Sequence, residues 1–112
     1  MCRSLLIAAL VMGAALFSPH APAEELPSYQ IVAKDGHFTP NRLEVPAGKR
    51  FKLLMRNDGA GPEEFESANP RMEKVLGPGT SSFRVVQPLK PGTYRIFGDF
   101  HPTTAECLII AK

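Results

Sequence analysis

Tryptophan is absent from this chain of 112 residues, and cysteine is nearly so: Cys2 and Cys107 are its two thiols. Cys2 stands at the extreme N-terminus, ahead of an apolar segment, which leaves Cys107 alone in the remainder of the chain. An internal disulfide is therefore excluded, and stability must come from a packed core. Charge of one sign is also lacking. With 13 basic and 11 acidic residues the formal net charge is +2, and no clustered basic face of the kind nucleic acid demands is visible. Internal repeats and low-complexity runs are missing as well. Beyond residue 24 no segment keeps a helical hydrophobic period over roughly eleven residues, which excludes a helical bundle.

Long apolar runs are scarce too. Leu5 to Phe17 is the longest; Arg3 precedes it and Ala21-Pro22-Ala23 follows. A positive start, an uncharged apolar stretch and small residues before Glu24 predict a secretory signal peptide, residues 1–23, cleaved after Ala23, with export to the periplasm. The run is shorter than the roughly 20 residues a membrane-spanning helix requires. A lipidated cysteine would have to follow the apolar region, whereas Cys2 precedes it and leaves with the signal. Residues 24–112 are expected to form one small domain.

What that domain contains is short strand-like runs divided by Pro/Gly turns. Tyr29 to Ala33 reads as a strand closed by Lys34-Asp35-Gly36, and His37 to Pro40 as a connection with Phe38 as its apolar anchor. Arg42 to Val45 and Lys49 to Arg56 alternate polar with apolar residues; the second is the clearest long strand. Asn57 to Pro62 is a loop, Glu63 to Ser67 a short strand or its rim, and Asn69 to Lys74 one loose helical turn. Ser82 to Val86, Thr93 to Phe97 and Leu108 to Ala111 complete the set. Seven or so such strands predict an all-β, antiparallel sandwich or barrel. Its aromatic core falls to Phe38, Phe51, Phe65, Phe83, Phe97 and Phe100.

Chemistry concentrates in one acidic group, Glu63, Glu64, Glu66 and Glu73, together with Asp99 beside His101. With Phe65 in the core, period-two alternation places Glu64 and Glu66 on the opposite face and Glu63 on the side of Phe65. Like charges so close repel unless a cation sits among them. Carboxylates with one imidazole form a hard-to-borderline set suited to iron, manganese, zinc or copper(II). A solvated acidic edge balanced by Arg71, Lys74 and Arg95 is the other reading, and both stay open at this point. His37 reads as an exposed loop residue and Cys107 as a small buried one, with a metal thiolate or an intermolecular disulfide as its functional alternative. No nucleophilic triad, phosphate loop or paired glycosidase carboxylates are present, so neither a catalytic residue nor an organic-cofactor site is assigned.

Phe38 to Gly48, Arg56-Asn57, Pro91-Gly-Thr-Tyr94 and His101 together resemble the cupredoxins. Glu64-Phe-Glu-Ser67, Glu73-Lys74-Val75 and Asp99-Phe100-His101 resemble more narrowly the EfeO-type cupredoxin-like domain and the small periplasmic cupredoxin-like component of bacterial ferrous-iron uptake systems. The resemblance covers Tyr29 to Lys112. It implies a Greek-key antiparallel β-sandwich binding a copper or iron ion, and an accessory role in high-affinity ferrous iron uptake, with possible ferroxidase-like activity rather than a dedicated enzyme. An inner-membrane iron permease and a periplasmic iron-binding protein are the implied partners. Glu64, Asp99 and His101 are the first-choice ligands; Glu63, Glu66 and Glu73 are candidates for the remaining positions. Two features depart from the electron-transfer members: the cysteine position three before His101 is Gly98, and the upstream histidine position is Glu63 or Glu64. Without the thiolate a blue-copper site cannot form. The alternatives are a copper-binding electron-transfer cupredoxin and a metal-free module that docks on a membrane partner.

Overall fold

The computed structural model describes residues 25–112 together with residue 13; the predicted signal peptide and its cleavage point otherwise lie outside the described residues. Among the described residues nine strands follow one another: β1 (Ser28–Lys34), β2 (His37–Thr39), β3 (Arg42–Val45), β4 (Phe51–Asn57), β5 (Glu63–Ser67), β6 (Met72–Leu76), β7 (Ser81–Val86), β8 (Gly92–Phe97) and β9 (Glu106–Ala111). They form a four-stranded sheet in the order β2-β1-β4-β7 and a five-stranded sheet in the order β3-β9-β8-β5-β6. β4 shows why the sequence folds this way. Phe51, Leu53, Met55 and Asn57 point inward and are buried, while Lys52, Leu54 and Arg56 alternate with them on the outer face.

The sheets close on one core containing Ile31, Leu53, Met55, Phe65, Ile96, Cys107 and Ile109. Phe38 of β2 stacks on Phe65 of β5, ring centroids 4.8 Å apart, and so joins the two layers. The β1–β2 hairpin turns on Asp35 and Gly36, with φ of 50° and 76°. Lys34 pairs with His37 across this two-residue loop, the Asp-Gly connection that a tight hairpin with two positive φ angles favours.

Four expectations need correction. The pairing is mixed, because β1–β4 and β3–β9 are parallel while the other pairs are antiparallel. The chain alternates between the sheets at β3, so strands remote in sequence become neighbours by crossover. Asn69 to Lys74 is no helical turn. Residues 68–71 make the reversal, and β6 then pairs with β5 from Glu63–Leu76 to Ser67–Met72, where a five-pair ladder overrides local preference. His37–Thr39, read as a connection, is strand β2. Phe83, Phe97 and Phe100 are not core residues: Phe83 lies on the outer side of the edge strand β7, Phe97 is half-buried at the end of β8 under the Arg95 guanidinium, and Phe100 is on an exposed turn.

These positions predict a contrast in stability. Phe65→Ala should lower the unfolding free energy by about 3–5 kcal/mol, the usual cost of emptying a phenyl site in a core. Phe83→Ala should change it by about 0.5 kcal/mol or less. Equilibrium denaturant unfolding of both variants measures the difference.

Candidate metal centre

The centre is organised from the end of β4. Asn57 is buried and all its amide groups are engaged. Its Nδ2 donates to the carbonyls of Gly61 (2.8 Å) and Leu76 (2.9 Å), and its Oδ1 accepts the Gly59 N–H (2.9 Å). One side chain thus fixes the loop over residues 58–62 that delivers the chain into β5.

On β5, Glu63, Phe65 and Ser67 face the interior and Glu64 and Glu66 the outside of the sheet. The inward Glu63 carboxylate is buried and lies 2.6 Å from His101 Nδ1, whose own side chain is half exposed. Its Oε1 also accepts the Glu64 N–H at 3.1 Å. With Glu63 ionised, Nδ1 carries the ring proton and Nε2 is left for another partner, the arrangement that orients ligating histidines.

His101 rides on a turn held by backbone bonds from His101 N–H to the Gly98 carbonyl and from Ala105 N–H to the His101 carbonyl. Thr104 Oγ1 donates to the Gly36 carbonyl at 2.6 Å and ties this turn to the β1–β2 hairpin. Two glycines make the close packing possible. A Cβ on Gly98 would stand 2.5 Å from Glu63 Oε1, and one on Gly36 would stand 2.9 Å from His101 Cδ2. A cleft of about 250 Å³ opens beside His101 and Glu63, walled by the hairpin and the 59–62 loop.

The outward carboxylates form a second group. Ligand oxygens of Glu64, Glu66 and Asp99 lie within 4.8 Å of one another. Glu64 is buried among them, and its pKa is pushed up to about 7 by burial first, then by the charges of Glu66, Asp99 and Glu73.

The structure therefore divides the sequence-derived ligand set. Glu64, Asp99 and His101 do not come together as a trio: Asp99 joins Glu64 and Glu66, with Glu73 adding its charge, whereas His101 is engaged by Glu63. The pleat of β5 is the reason, since adjacent residues on a strand face opposite ways. Cys107 lies inside the core on β9, and burial, with Glu106 second, pushes its thiol up to about 12, so it offers no thiolate to either group. Sequence reasoning missed Asn57 as the loop's organiser and Gly36 as the seat of the imidazole. An Asn ending an apolar strand before Asp-Gly was the available signal for the first; the second depends on a contact between sheets.

Two mixed β-sheets packed face to face, with the last two strands joined by the turn that carries His101, define a cupredoxin-like fold. The chain belongs to the cupredoxin-like domain family, whose model matches residues 6–111. It is 40% identical over 94 residues to an uncharacterized protein of Rickettsia prowazekii (strain Madrid E), covering 84% of this chain and 75% of that one. Among solved structures it is similar to a purple cupredoxin from Nitrosopumilus maritimus (TM-score 0.57, 22% identity, 74% of this chain and 98% of that one). It is also similar to an auracyanin from Roseiflexus castenholzii (TM-score 0.63, 16% identity, 76% and 96%). A third is auracyanin A, a blue copper protein from Chloroflexus aurantiacus (TM-score 0.61, 10% identity, 79% and 100%). The fold is shared; a thiolate copper site does not fit these residues. Gly98 has no side chain, and the space beside it is filled by the Glu63 carboxylate.

Two outcomes follow. Gly98→Ala should destabilise the fold by about 1–3 kcal/mol, an overpacking cost, and should disturb the Glu63–His101 contact, seen as a shifted His101 imidazole resonance by NMR. Glu64 holds its proton more tightly folded than unfolded. Its contribution to stability is present below its ordinary pKa of 4.5 and is lost as pH rises to about 7. Thermal melts between these limits should show a stability decline with pH that Glu64→Gln flattens.

Proposed function

We propose that the protein is an exported cupredoxin-like metal-binding protein that holds copper(II) or iron through oxygen ligands and acts as an accessory to ferrous iron uptake. Iron is its cargo in this reading, passed to an inner-membrane permease. One observation carries it: three carboxylates converge within 4.8 Å around a buried Glu64. Gathering like charges is unfavourable without a counter-ion, and a cation there would reverse the upward shift of Glu64. Glu64, Glu66 and Asp99 would hold the ion, with Glu73 beside them, and His101 stands two residues from Asp99 on the same turn. Hard oxygen donors suit the ferric ion better than a soft one. Binding competes with the Glu64 proton, so affinity should fall as pH drops below about 7.

Two other readings have support of their own. The family and the similar copper proteins favour an electron-transfer cupredoxin, which Gly98 argues against. An interaction module asks only that the Glu63–His101 hydrogen bond hold the turn in place for a partner.

Calorimetric titration of the parent, Asp99→Ala, Glu64→Gln and His101→Ala with copper(II) and ferrous iron separates the three. The expected result is a non-blue copper(II) complex, weakened at least tenfold in Asp99→Ala and Glu64→Gln, an effect of about 1.4 kcal/mol or more, and little changed in His101→Ala, whose ring is engaged by Glu63 instead. Intense blue colour would establish the electron-transfer reading. Equal affinity in all variants would leave the interaction module.

A further inference from the structure

The two sheets differ in charge more sharply than composition requires. The strands of the four-stranded sheet (β1, β2, β4 and β7) contain no carboxylate. The strands of the five-stranded sheet hold Glu44, Glu63, Glu64, Glu66, Glu73 and Glu106. On the outer face of the four-stranded sheet, register places Leu54 opposite Phe83, Lys52 opposite Val85 and Arg56 opposite Ser81. Phe83 is 58% exposed, and the Lys52 ammonium lies 4.3 Å from its ring centroid. Arg56 is shared with Asp58 (2.5 Å) and Ser81 (3.2 Å), so Lys34 and Lys52 carry the free positive charge.

We propose that this outer face docks on an anionic lipid surface. A lipid headgroup layer asks for positive charge on flexible stems and an apolar side chain that can enter the interface; it asks for no fixed hydrogen-bond register. Lys34 and Lys52 supply the first. Phe83 and Val85, protruding from the edge strand β7 beside the half-buried Leu54, supply the second. With no carboxylate on its strands, this sheet has only Asp58, neutralised by Arg56, and Asp35 of the β1–β2 turn as acidic groups at its ends, whereas the five-stranded sheet, with the Glu64–Glu66–Asp99 group, would be repelled. Docking therefore fixes an orientation: the Glu64–Glu66–Asp99 group, outside the opposite sheet, turns to bulk solvent.

The chain has no tryptophan, so a single introduced indole reports its own site. Phe83→Trp and Val75→Trp place reporters on exposed positions of the two sheets. Variants of the exported chain, residues 24–112, checked for parental circular dichroism, are titrated with vesicles of phosphatidylglycerol and phosphatidylcholine in equal parts and with phosphatidylcholine alone. The emission of Phe83→Trp should shift to the blue with the anionic vesicles only, and that of Val75→Trp should stay unshifted. Adding Lys52→Ala should raise the half-saturating lipid concentration roughly fivefold, and higher salt should raise it in the parent background. Equal response to neutral vesicles, a shift of Val75→Trp instead, or no effect of Lys52→Ala would overturn the proposal. So would a shift of Phe83→Trp by a polyglutamate peptide but not by vesicles, which would give the face to an acidic protein.

Discussion

Everything at the candidate centre depends on the pleat of one short strand. Phe65 is fully buried and stacked on Phe38, and this sets the phase of β5. Once it is set, Glu63 must look inward and Glu64 and Glu66 outward. A slip of one residue would bring two carboxylates into an apolar core, at a cost no packing could offset. The phase is therefore secured by the hydrophobic core, and the polar residues take the positions it leaves them. Two chemically distinct groups arise from five consecutive residues: a buried carboxylate engaging an imidazole, and an outward set of carboxylates with no cation among the described residues within it.

The inward group fills the space beside Gly98. Gly98 gives up a side chain and Glu63 fills the room, closing onto His101, while Gly36 lets the ring lie against the hairpin. These three choices are interdependent. Any side chain at residue 98 collides with the Glu63 carboxylate, so a thiolate could stand there only with a change at Glu63. The sandwich is shared with the similar copper proteins, whereas the room beside residue 98 is taken by a carboxylate.

Much of this was legible in the residues. Alternation in β4 and β5 and the turn before β8 mark strands through short-range chemistry, and they hold in the structure, whereas the Asp-Gly pair after β1 reads from the sequence as the end of a strand and not as a hairpin. The alternation argument also placed Glu64 with Glu66 and apart from Glu63. What escaped was decided at longer range. The parallel pairs β1–β4 and β3–β9 follow from crossovers that no local signal records. The β6 strand exists because β5 offers it a ladder. Phe83 looks like any core phenylalanine until β7 is known to be an edge. The separation of Asp99 from His101 turns on a backbone reversal at Gly98, where two residues of chain suffice to send their side chains to different neighbours.

The solitary thiol of β9 has a consequence of its own. Burial pushes its pKa up to about 12, so Cys107 stays a thiol at neutral pH, and none of the side chain reaches solvent. Alkylating agents and oxidants act on thiolate, so in the native state they find almost nothing to attack. The sulfur becomes reactive when β9 parts from its neighbours β3 and β8. Its chemical labelling therefore keeps time with the opening of the sandwich: the molecule carries an intrinsic clock for its own unfolding, silent while the fold is intact.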